Sequence, residues 1–337
     1  MKQLKFAFRF ALMAFCLISG LASYSQGTAT IYGELPEVNE MISVFSTAYV
    51  DTNVLSYGIK PRKSHFSIPI TLHSKYRLVL LEHDVDYAEI VLAPGSNLEI
   101  DISALKNNKG NICKGYGDEI ANFAAHHAWD MSLLDYYPRY AYRICEDNPS
   151  DYLKALNSQY KKEVKYFKRH GKGLDTSFRY FWFTYLRYAR YVNLLTYPKF
   201  HQQRAKLSSN LKVIPTDLLA IIDSVPETYD DSLLECKPYQ EYIKTIMPIK
   251  TALEYRRAGK EYPADSAGFI KQQIIARMPP RSAAYVIGFS VSNSIGIGSI
   301  EKAEALLTEY KKLFPGNENI YGFEKRLAEQ KEKVNAK

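Results

Sequence analysis

The chain has no C-x-x-C pair and only four cysteines in 337 residues. Thiol–disulfide exchange needs a low-pKa thiolate with a resolving partner beside it. A cysteine-rich zinc site needs several ligands at short spacing. Neither chemistry has its residues here. Glycine and proline, 17 and 15, stand at ordinary levels, which excludes collagen-like and low-complexity chains. Acidic residues are outnumbered by basic ones, 36 to 44, for a formal charge of +8. Hydrolase and dinucleotide signatures are also missing. Gly288-Phe289-Ser290-Val291-Ser292 lacks the second glycine of a nucleophile elbow, and Gly296-Ile297-Gly298 follows no strand.

What is present begins with an address. Lys2, Lys5 and Arg9 form a positive start without acids, residues 10–20 are an apolar run, and Ser23-Tyr24-Ser25 supplies small residues before Gln26. That is the three-part secretory pattern. The run is shorter than the ~20 residues of a spanning helix. Residues 1–25 therefore read as a cleaved signal peptide that sends the chain to the periplasm and leaves no transmembrane helix. Its removal lowers the charge by three and leaves Cys113, Cys145 and Cys236, an odd number. A Cys113–Cys145 bridge stays open, with buried thiols the plainer reading. Nucleic acid is a poor partner for an exported chain, whatever its charge.

Residues 28–112 carry a period of two. Phe66, Ile68, Ile70 and Leu72 alternate with polar neighbours, and Tyr76, Leu78 and Leu80 repeat the pattern. Pro69 demotes its strand to an edge or bulge. Ala93-Pro94-Gly95-Ser96 fits a type II turn, and the alternation on either side predicts a hairpin over 90–100. After Gly117 the period becomes 3.6. Helices are expected from an Asp118 cap, from a Ser150 cap to Gly171, over 176–195, and in shorter pieces to about 334. The last two resemble a single tetratricopeptide-style unit, without a fixed repeat. The fold class is thus α+β: an antiparallel β-sandwich over 26–115, then an all-helical domain over 116–337.

Several single features have plain structural readings. His126 and His127 point about 100° apart on a helix, so they do not share a metal as an i, i+4 pair would, and His127 reads as a packed histidine. Glu82, His83, Asp84 and Asp86 lack the spacing of a calcium loop and read as a hairpin tip. No catalytic, cofactor or metal-binding residue is assigned. Two sets remain as a candidate binding surface. Lys154, Lys161, Lys165 and Lys168 line one helical face, and Arg179, Arg187 and Arg190 share an arc of an aromatic-rich helix.

Phe66-Ser67-Ile68-Pro69-Ile70, the stretch Ile90-Val91-Leu92-Ala93-Pro94-Gly95-Ser96-Asn97-Leu98-Glu99-Ile100, and Lys114-Gly115-Tyr116-Gly117 leading into Asn122-Phe123 resemble the N-terminal accessory region of TlpA-like thiol–disulfide oxidoreductases from two-membrane bacteria. The resemblance spans about 26–130. It implies a small β-sandwich and a helical segment which, in that family, precede a thioredoxin-fold domain bearing C-x-x-C. This chain has no counterpart of those cysteines. The resemblance therefore implies an envelope location and a docking role beside another envelope protein, such as a thioredoxin-like one. Two other expectations stand beside it: an envelope glycan- or lipid-binding protein or hydrolase using the aromatic and arginine helix, and a remnant split from a downstream thioredoxin domain.

Overall fold

The computed structural model describes residues 27–35, 42–45, 57–59, 65–72, 74–132, 134, 144–207, 214–261 and 263–335; the expected signal peptide lies outside them. Among the described residues the protein is mixed α/β, with two four-stranded sheets and ten α-helices. One sheet has the order β4-β1-β7-β8, from β4 (His65–Leu72), β1 (Gly27–Glu34), β7 (Asn97–Ile100) and β8 (Cys113–Tyr116). The other has the order β3-β2-β5-β6, from β3 (Tyr57–Ile59), β2 (Ile42–Phe45), β5 (Arg77–His83) and β6 (Asp86–Leu92).

Alternation decides which side chains go inward. β4 buries Phe66, Ile68, Ile70 and Leu72, and it is an edge strand, where a proline costs no ladder bond on its open side. Ile31 sits between Ile68 on β4 and Leu98 on β7. These residues join Val44, Leu81 and Ile90 of the other sheet in one apolar cluster.

Four expectations are corrected here. β1 and β7 pair in parallel, so the first sheet is not wholly antiparallel. The Pro94–Gly95 turn has its type II bond, from the Ser96 amide to the Ala93 carbonyl at 2.9 Å, with Gly95 at φ 85. Yet it joins β6 to β7 across two sheets and makes no hairpin, because a turn type fixes local geometry and not the strand's neighbour. On β5 the fully buried set is Arg77, Val79, Leu81 and His83, while Leu78 and Leu80 are half-buried. Leu78 packs against the helices, so both faces of this strand are covered and its sequence does not alternate cleanly. Ile102, inside the 28–112 stretch read with a period of two, opens a short helix α1 (Ile102–Asn107), where the Asp101 carboxylate accepts from the Ala104 amide at 3.0 Å.

The helical part follows the 3.6 period closely. α2 (Asp118–Asp130) starts after Gly117, whose φ of 92 takes the capping position expected for Asp118. Asn148, not Ser150, caps α3 (Pro149–His170), accepting from the Asp151 amide at 3.0 Å. Asp175 caps α4 (Thr176–Arg204), which runs nine residues beyond its expected end at Leu195. The short α5 (Thr216–Ala220) is followed by α6 (Lys237–Arg257), α7 (Ser266–Arg277), α8 (Pro280–Gly296), α9 (Ile300–Leu313) and α10 (Asn319–Asn335). α4 is the spine of a second apolar cluster. Its Trp182 is fully buried, and its Tyr188 ring packs edge-on to Tyr239 and Tyr242 of α6 at 4.9 and 5.0 Å.

α2 belongs to both clusters. Ala121 and Ala125 face the sheets, while Phe123 and Ala124 face the helices. Small residues on one side let the helix lie close on β6, and the larger ring on the other anchors it among Phe167, Phe178 and Trp182. Buried polar contacts add direction to this join. Glu89 of β6 accepts from the Leu134 amide at 2.6 Å, and Arg77 of β5 lies 3.8 Å from Glu235.

Candidate functional site

The seven cations singled out from sequence do not meet at one place. Lys154, Lys161, Lys165 and Lys168 are all exposed on α3. Arg179 is exposed with its guanidinium over the Phe183 ring at 5.8 Å. Arg187, also exposed, donates to the Thr184 hydroxyl at 3.3 Å. Arg190 alone turns inward and donates to Asn157 at 2.8 Å. It lines a small cavity of about 10 Å³ with Gln159, Glu163 and Asn193, room for one water at most. The shared arc splits because α3 covers only its Arg190 end.

Behind that cavity is a buried pair which sequence spacing did not reveal. His127 Nε2 lies 2.6 Å from Glu163 Oε2, with both side chains essentially sealed from solvent. Gln159 donates to the other carboxylate oxygen at 3.2 Å, and the rings of Tyr166 and Trp182 stand edge-on to the imidazole. An acid–base couple of this kind is a familiar catalytic unit; here both side chains are sealed from solvent and the pair packs as a core contact. The signal was present in part: His127 lies on the apolar face of α2, while its partner is the only acid on the lysine-rich helix after Asp151.

The thiols are similarly sealed. Cys113, Cys145 and Cys236 are buried and stand outside any disulfide. Burial pushes the Cys113 and Cys236 thiols up to about 12, far from the thiolate that exchange requires. Among the described residues no group of three or more His, Cys, Asp or Glu is placed to hold a metal ion, and no helix is long and apolar enough to cross a membrane.

A groove of about 1160 Å³ lies between α6, α7, α8 and α9. It opens because α6 presents small or kinked positions there. Lys244, Pro248, Ala252 and Arg256 follow one another at every fourth residue, so the middle of this row has little side chain to fill the space. Pro248 also has no amide hydrogen to give the Lys244 carbonyl. Ile274, Val286 and Ile287 form a buried apolar floor, with Phe289 and Leu306 partly covering it.

The rim is charged and partly tied down. The Lys244 ammonium lies 4.1 Å from the Phe289 ring centroid and 2.6 Å from Glu241. Lys271 pairs with Glu309 across the groove's end, joining α7 to α9. Arg256 donates to the Ile214 carbonyl at 2.5 Å. Lys260 is exposed, with its side chain directed into no ion pair among the described residues. The lining serines, Ser266 and Ser290, have no histidine beside them among the lining residues. Chemically this arrangement offers an apolar floor with polar groups at its edge. Sequence reasoning missed it because its four helices come together only in the fold.

Compared with family models, with curated proteins and with solved structures, the chain matches none.

Proposed function

We propose that this protein is an exported, non-catalytic docking module of the cell envelope, built as a β-sandwich over 26–115 followed by a helical domain over 116–337. The shared apolar cluster of the two sheets and the separate cluster around α4 support that division. The periplasmic location rests on the sequence pattern of residues 1–25, and the TlpA-like accessory role on the residues between 66 and 123. The buried thiols support a role beside redox proteins without exchange chemistry in this chain.

The observation that carries the docking role is the groove of α6–α9. At about 1160 Å³ it exceeds the roughly 300–1,000 Å³ typical of small-molecule clefts. Its occupant is an apolar-faced segment of a partner protein, laid against Ile274, Val286 and Ile287 in the helix-in-groove manner. Rim lysines hold the partner's polar edge.

A photo-crosslinking residue placed at Phe289, in the chain exposed to an envelope fraction, tests this. A discrete adduct is expected that Ala252→Arg, which fills the groove, abolishes, while a crosslinker at exposed Tyr321 gives none. An adduct indifferent to Ala252→Arg sinks the groove as the docking site. Reduction of insulin disulfides by the purified chain sinks the non-catalytic reading.

A further inference from the structure

We propose that the outer face of α3 docks on an anionic phospholipid bilayer, by charge and without insertion. Lys154, Lys161, Lys162, Lys165, Lys168, Arg169 and Lys172 are all exposed. The one acid between residues 154 and 172, Glu163, points the other way into its pair with His127. No carboxylate among the described residues pairs with any of these seven cations. At about 100° per residue, Lys154, Lys161, Lys165 and Lys168 fall within an arc of roughly 60°, and at about 1.5 Å per residue they extend over ~21 Å.

The chemistry of this face selects the occupant. Every exposed residue of α3 is polar, so a protein partner would find no aromatic or aliphatic anchor to desolvate there. Lysine is depleted from protein–protein interfaces for that reason. A headgroup layer makes no such demand. It needs countercharge spread in a plane, and flexible, hydrated ammonium groups supply it. Four to eight cations on an amphipathic helix are the size of cluster that anionic lipid recognises. In an interfacial helix the apolar face enters the lipid. Here Tyr152, Leu156, Tyr166 and Phe167 are buried within the protein, so contact stays at the headgroups.

The proposal is independent of the groove. Its test is co-sedimentation of the purified chain with phosphatidylcholine vesicles, with and without about 30% phosphatidylglycerol, at about 50 mM and about 500 mM NaCl, where screening differs strongly. Binding is expected only with the anionic lipid and only at low salt. Lys154→Gln, Lys161→Gln and Lys165→Gln together should lower the bound fraction at least about tenfold. The same charge change at exposed Lys302, Lys312 and Lys325 should alter it less than about twofold. Matching thermal melts check that both variants fold. Equal loss in the two variants, binding to neutral vesicles, or tighter binding to duplex RNA at equal phosphate overturns the proposal.

Discussion

The phenol of Tyr76 donates to the Asp175 carboxylate at 2.8 Å, and that carboxylate also caps α4 by accepting from the Phe178 amide. Tyr76 precedes β5, so one contact ties the strand region to the central helix. Its ring packs against Phe178 and Phe181, with centroids 5.5 and 5.4 Å away. Ser177 completes the cluster, 2.7 Å from the phenol oxygen.

Tyr76→Phe keeps the ring and removes the hydroxyl. It should cost about 1–2 kcal/mol, the range for a hydrogen bond to a charged group with partial compensation by Ser177. Asp175→Ala removes the cap as well and should cost more. Urea midpoints of the two single variants and the double variant check this. If the single losses simply add, the two groups are not coupled.

Asp175 also sets an acid dependence. Its carboxyl is pushed down to about 2, first by the Phe178 amide and then by Ser177, against a smaller opposing effect of desolvation. A lowered carboxyl stabilises the fold above its unfolded value, near ~3.9, and that contribution is lost as pH falls through about 2. Asp175→Asn retains a capping oxygen without the charge. The variant's urea midpoint should therefore fall less steeply between about pH 4 and pH 2 than the wild type's. Parallel curves would contradict this.

For the His127–Glu163 pair the expected result is an asymmetry. Glu163→Leu alone removes the carboxylate from a buried imidazole and should cost about 3–5 kcal/mol. Adding His127→Phe removes the buried imidazole as well and should recover a large part of the loss. A double variant no more stable than Glu163→Leu alone shows that the pair is more than a satisfied core contact.

The thiols give a chemical check. With burial holding Cys113 and Cys236 up near 12, neither should react with Ellman's reagent at about pH 8 while the protein is folded. Both should react in denaturant. Rapid labelling of either in the folded protein would reopen thiol chemistry.

What the sequence made legible was periodic, and what it hid was long-range. The burial of Phe66 through Leu72 follows from alternation alone, and the length of α3 follows from its amphipathic period and the Gly171 stop. The turn at Pro94–Gly95 was also readable, since a positive φ favours glycine there. That β7 then lies parallel to β1 was not, because strand partners depend on how two sheets stack. Leu78 misled because, on the second face of β5, it packs against the helices. His127 and Glu163 are 36 positions apart, and nothing local announces their contact. The groove was hardest to see, since it is made by the small volume of Ala252 and the spacing of four helices.

Hydrogen exchange of the chain alone and with an envelope fraction probes the docking claim most directly. Slower exchange confined to 248–256, 266–274 and 286–290, and absent in Ala252→Arg, is the predicted result. Protection elsewhere with those three stretches unchanged would contradict it.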